Sequence, residues 1–155
     1  MKKMKFFNLE WIKGDILDIE YDKRQKEYDN YIHSIKNSTN IIIRHFCDIN
    51  FNDAKIVKIN NKNKSLFVKF YIGDLQNGYY ELNVNFIVSK DFSLHKNITK
   101  KEIITSEVIY ENKIFYFLFI LNDFKEYCIE FLDIKDLKFH KIKENLYLNL
   151  NKEKL

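Results

Sequence analysis

The hydrophobic period of the chain changes once, near residue 53. Before it, Leu17, Tyr21, Arg24, Tyr28, Tyr31, Ile32 and Ile35 recur at spacings of three and four. That spacing predicts an amphipathic helix to about residue 36, with Asp22, Lys23, Lys26, Glu27, Asp29 and Asn30 mainly on its other side. Asp15 or Asp18 offers its N-cap. The segment "NSTN" at 37–40 interrupts it. Asn40 then caps a short second helix through Ile42, Phe46 and Ile49, although Ile41–Ile43 alone would suit a strand. Residues 1–13 are short and aromatic, and Trp11 is expected to anchor them to the core. The apolar face of the long helix is expected to cover a sheet, with a docking face for a partner as the alternative.

After residue 53 the period becomes two. "AKIVKIN" reads as a strand and "NKNK" as a turn. "SLFVKFYI" alternates Leu66, Val68, Phe70 and Ile72 against Phe67, Lys69 and Tyr71. "YYELNVNFIV" sets Tyr80, Leu82, Val84, Phe86 and Val88 against Tyr79, Glu81, Asn83, Asn85 and Ile87, as a half-buried antiparallel strand requires. Residues 89–101 are a polar connector. "EIITSEVIYE", "KIFYFLFIL" and "EYCIEFLDI" read as three sequential strands joined by hairpins at 111–113 and 122–125. "DLKFHKI" either extends the last strand or pairs as a seventh. Helices first and strands afterwards predict an α+β domain over 1–142: one long and one short helix packed on a mostly antiparallel sheet of about six or seven strands. Residues 143–155 read as a peripheral strand or a frayed tail.

Composition narrows the class. A chain of 155 residues, 46% hydrophobic and 16% aromatic, has material for one buried core. Its net charge of +4 rests almost wholly on lysine, with arginine only at Arg24 and Arg44. Acidic residues are interspersed throughout, so no basic stripe forms, and base reading leans on arginine; this argues against nucleic-acid binding. Cys47 and Cys128 stand far apart in apolar runs and read as buried free thiols. The N-terminus lacks the apolar core and cleavage site of a signal peptide, and the longest apolar run, 114–121, is too short to span a bilayer as a helix. A cytosolic protein of bacterial type, without membrane association, is expected.

Candidate chemistry is sparse. His33, His45, His95 and His140 form no HxxxH pair, there is no CxxC, and His45 with Cys47 is two ligands at most. Neither a metal nor an organic cofactor is indicated. No G-x-S-x-G elbow or activated cysteine is present. The acidic group Asp15, Asp18, Glu20 and Asp22 complements a helix dipole. The most distinctive stretch is "YIGDLQNGYYELNV", which holds Gly73 and Gly78, two of only three glycines. It has the G-x-x-x-x-G spacing of a phosphate loop, but Tyr79 and Tyr80 replace Lys and Ser/Thr, and Asp74 would repel a phosphate. A strand–loop–strand turn accounts for the glycines and for Asn77. Asp74 and Gln76 are left as a capped loop or as the lip of a pocket. The candidate binding loop is therefore Gly73, Asp74, Gln76, Gly78 and Tyr79, with Asn52 and Asp53 as a second segment.

Four segments together resemble a family of uncharacterised bacterial proteins, a domain of unknown function. They are 6–35, 49–59, 73–86 and 106–139. Members of that family typically show W-x-x-G-x-L and then Y-D-x-R-x-x-x-Y, both corresponding to the first segment, L-H-D-A or a close variant, corresponding to the second, and G-D-L-Q-x-G-Y, corresponding to the third. The resemblance implies a small cytosolic α+β protein and no particular activity. Asn52 stands where similar sequences have His, so a histidine-based site is not carried over; Asn does not titrate but still hydrogen-bonds. Three functions follow as expectations. The first is a non-enzymatic protein-interaction module with a protein partner, such as an immunity or defence-associated protein. The second is a small-ligand binder or enzyme using Asp53, Asp74, Gln76 and Tyr79. The third is weak nucleic-acid binding through lysines and aromatics. A homodimer through an exposed sheet edge is compatible with each.

Overall fold

Capping decides where the helices begin. In the computed structural model, which describes residues 2–89 and 98–150, Asn8 accepts the Trp11 N–H and opens α1, Leu9–Lys13, which Gly14 ends at φ 71°. Helix α2 spans Asp18–Asn37. Its N-cap is Leu17, without a side-chain hydrogen bond, rather than Asp15 or Asp18. Asp18 and Glu20 lie inside the first turn, where carboxylates meet the positive end of the dipole. Asn40 caps α3, Ile41–Cys47, by accepting the Ile43 N–H. This helix ends before Ile49, which the sequence pattern had included.

Seven strands follow: β1 (Lys55–Lys62), β2 (Ser65–Asp74), β3 (Gly78–Ile87), β4 (Ile103–Glu111), β5 (Ile114–Leu121), β6 (Glu126–Phe131) and β7 (Asp133–Ile142). The α+β class and the antiparallel pairing are as expected, but the strands divide into two sheets, ordered β1-β2-β3-β7 and β4-β5-β6. The division arises at Leu132. One residue separates β6 from β7, and the Leu132 N–H bonds the Ile87 carbonyl at 2.7 Å as the chain passes between sheets. "DLKFHKI" is thus part of a separate strand, paired with β3. At the other corner Ile103 donates to Ala54 and accepts from Asp53, each at 2.8 Å. Helix α4, Glu144–Leu148, lies in the segment read as a peripheral strand or tail. The polar connector and His95 fall largely or wholly outside the described residues.

The inner faces of both sheets share one core. Leu66, Val68, Phe70, Leu82, Val84 and Phe86 come from one sheet; Phe117, Phe119, Ile129 and Phe131 from the other. Helix α3 inserts Phe46 between them, with ring centroids 5.6 Å from Phe86 and 5.2 Å from Phe117. The alternate residues of β5, Leu118 and Ile120, pack outward on Met4, Phe6 and Phe7. Strand β5 is covered on both sides, which explains its unbroken apolar run.

Helix α2 does cover a sheet, in part by closing an edge. The Tyr28 and Tyr31 hydroxyls accept the outward N–H groups of Val108 and Tyr110 on β4, each at 2.9 Å. Trp11 packs on Phe7 and Tyr21 in the outer cluster, so it ties the N-terminal segment to α2 instead of entering the main core. Arg24 completes that tie through Phe6 O, Asn8, Glu10 and Glu20. Glu107 does most to hold the segment. Its buried carboxylate accepts the N–H groups of Lys5, Phe6 and Phe7 at 2.7, 3.0 and 2.9 Å. Burial pushes its pKa up, and the three donors oppose that shift.

Two hairpins turn without glycine. Asn63–Lys64 and Asn112–Lys113 each place both central residues at positive φ, the type I′ geometry. Asparagine tolerates that region; lysine does so at a steric cost. Lys64→Gly and Lys113→Gly are each expected to raise stability by about 0.5–1 kcal/mol, the relief of strain exceeding the added unfolded-state entropy. Urea denaturation midpoints at constant slope check this.

Candidate functional site

Helix α3 covers the inner face of the larger sheet only in part. Beyond it, that face carries Ile72, Tyr80 and Phe139, and a groove of about 460 Å³ opens over them. Gly73, Asp74, Asn77 and Gly78 form one lip, from the β2–β3 turn. His45, Asp48, Ile49 and Asn50, at and beyond the end of α3, form the other. The Tyr80 and Phe139 rings meet at 89° with centroids 6.4 Å apart. Phe139 is 46% exposed, large for a phenylalanine, because nothing in the described chain covers its side of the groove. The ionisable lining groups are His45, Asp48, Asp74 and Tyr80; no lysine or arginine lines the groove.

The turn is built by its glycines and its aspartate. Gly73 pairs with Tyr79 at φ 123°, and a Cβ there would lie 2.1 Å from the Gly78 carbonyl oxygen. Gly78 adopts φ 88°. Asp74 Oδ1 accepts the N–H groups of Gln76 and Asn77 at 2.9 and 2.6 Å, and Oδ2 accepts the Asn77 side-chain amide at 3.2 Å. These donors, led by the Asn77 N–H, hold the Asp74 carboxyl below its ordinary range. Near neutral pH it is a fixed negative charge at the lip, poorly suited to carry a proton.

The other candidate residues lie elsewhere. Gln76 is exposed in the turn, gives its N–H to Asp74, and does not line the groove. Tyr79 points to the opposite face of the sheet and packs on Tyr147 of α4 with centroids 4.6 Å apart. Asp53 has φ 65°, and its carbonyl accepts the Tyr147 hydroxyl at 2.6 Å. Lys55, buried beside them, donates to the Tyr147 carbonyl at 2.7 Å and lies 4.3 Å from that ring's centroid. Tyr147 therefore links Asp53 and Tyr79 structurally, away from the groove. Asn52 lines a separate, more polar cavity of about 240 Å³ with Tyr28, Asp29, Cys47, Thr105 and Ser106. Ile49 and Asn50 line both cavities and form the wall between them.

Sequence reasoning missed Tyr80 and Phe139 as groove residues and Glu107 as a buried anchor. An aromatic at the end of an inward-facing row, past the last residue a short helix reaches, is the signal for the first two. Glu107 carries none, because its three partners lie about a hundred residues away. The thiols are not poised for nucleophilic work: burial pushes Cys47 and Cys128 each up to about 12. Among the described residues no three His, Cys, Asp or Glu side chains gather to hold a metal, and no helix is long and apolar enough to cross a membrane. Fold and groove together describe an α+β protein with an open aromatic cleft. Comparison with protein-family models, curated proteins and solved structures finds no match.

Gly73→Ala is expected to destabilise the fold by about 3 kcal/mol, since positive φ and a backbone clash act together; urea denaturation measures it. Asp74 has a distinct pH signature. Its unfolded pKa is about 3.9 and its folded value is lower, so the unfolded state binds more protons between them. Its contribution is full above pH ~4 and disappears as pH falls through the folded value. Wild type should exceed Asp74→Asn in stability at pH 6, and the gap should close towards pH 2, as read by urea denaturation at both pH values.

Proposed function

We propose that the protein is a non-enzymatic protein-interaction module of the cytosol, of the immunity or defence-associated kind, and that its partner docks at the groove between α3 and the β2–β3 turn. One observation carries this reading: the inner face of the larger sheet continues past its helical cover and leaves Phe139 and Tyr80 at an open cleft. Exposed aromatics over an apolar floor with a polar rim are what protein interfaces use as anchors. The held carboxylate of Asp74 and the high pKa of both thiols support binding over catalysis. A small-ligand site at the same place is the second reading, supported by a volume within the usual range for such pockets. Nucleic-acid binding is disfavoured there, because Asp48 and Asp74 would repel phosphate.

The test is affinity capture from a lysate of the native host with wild type and with Phe139→Asp, whose side chain is exposed enough to change without unfolding the core. A protein recovered by wild type and lost with the variant, at equal melting temperature, is the expected result. Equal recovery by both, or no specific partner for wild type, would overturn the proposal.

A further inference from the structure

Resting on the groove as a protein-docking site, we infer that it takes an aliphatic ammonium group, supplied as a lysine side chain by the partner. The charge pattern points there. The chain as a whole is +4, yet the groove's charged lining residues are Asp48 and Asp74, with no lysine or arginine among them. Lys36, which does not line the groove, forms an ion pair with Asp48 Oδ1, so Asp74 is the lining carboxylate without a cationic partner in the groove. The Asp74 carboxylate is held in place by its turn, so its charge requires no ordering when a cation arrives. Ile49 and Ile72, which also line the groove, offer an apolar wall for a methylene stem, and Tyr80 and Phe139 meet at a right angle. Two perpendicular rings lining the same groove as a carboxylate suit a cation, which is drawn to ring faces as well as to the negative charge. A lysine has the matching parts: an apolar stem and a compact ammonium head with three donors. An anionic group would be repelled by Asp74 with no lining cation to offset it, and a neutral apolar chain would gain nothing from that charge.

The test uses n-pentylammonium chloride as a stand-in for the lysine side chain and 1-pentanol as its neutral counterpart, titrated into the full chain and followed by amide NMR shifts. Pentylammonium is expected to shift the amides of residues 72–80 and 139 saturably, and to bind about five- to tenfold more tightly than pentanol, a ratio typical of a cation over aromatic faces. Asp48→Asn and Phe139→Leu should each reduce that preference without moving the melting temperature, which separates the charge and ring contributions from any effect on the Asp74 turn. Equal binding of the two probes, or no shifts at the groove, overturns the inference. If Phe139→Asp abolishes partner capture while pentylammonium shows no preference, the docking reading stands and the ammonium inference falls. If pentylammonium is preferred but no protein is captured, the cation chemistry stands and a partner's lysine as its source is overturned.

Discussion

The architecture depends on Phe46. Its ring touches Phe86 of one sheet and Phe117 and Phe131 of the other, so one side chain on a seven-residue helix spans both layers. Aromatic pairs of this geometry contribute beyond simple area burial, and a close-packed core passes any shift of one member to the rest. Because α3 is held by that wedge, its C-terminal end is held too. His45, Asp48 and Ile49 are then fixed as one wall of the groove, facing a sheet that runs further than the helix does. Groove and core thus have the same cause.

A second constraint acts on the outside of the smaller sheet. Strands β4 and β5 have an apolar outer face, and β4 has an open edge. Two devices close them. Tyrosine hydroxyls from α2 satisfy the outward N–H groups of β4, and the Glu107 carboxylate draws the N-terminal segment over the apolar face. An exposed sheet edge is a template for unwanted pairing, and covering it with side chains removes that hazard. The carboxylate loses solvation on burial, but the three backbone donors would lack protein partners there without it.

The turn at 73–80 shows how one motif divides between two roles. Gly73 and Gly78 are required by backbone geometry, and Asp74 satisfies the turn's own N–H groups. Tyr79 and Tyr80 are neighbours in sequence, yet a strand sends them to opposite faces. Tyr80 enters the groove and Tyr79 packs under α4. The candidate binding loop named Tyr79, which packs on Tyr147 away from the groove, and left out Tyr80, which lines it.

The order and type of the elements were legible in the residues themselves, because they follow from periods of 3.6 and 2 and from local caps and turns. The α2 face, the Asn40 cap, the alternation in β2 and β3 and the hairpins at 111–113 and 122–125 are all short-range properties. The glycine turn was legible for the same reason. Which strands share a sheet was not, since pairing of β3 with β7 joins segments about fifty residues apart and no local pattern encodes it. Nor was the separation of Asp53 and Asn52 from Asp74, which depends on Ile49 and Asn50 forming a wall between two cavities. The sequence by itself determined the elements and the turn; only tertiary packing decided that Asp74 would face His45, Asp48, Tyr80 and Phe139, because a cleft exists only where two distant surfaces fail to meet.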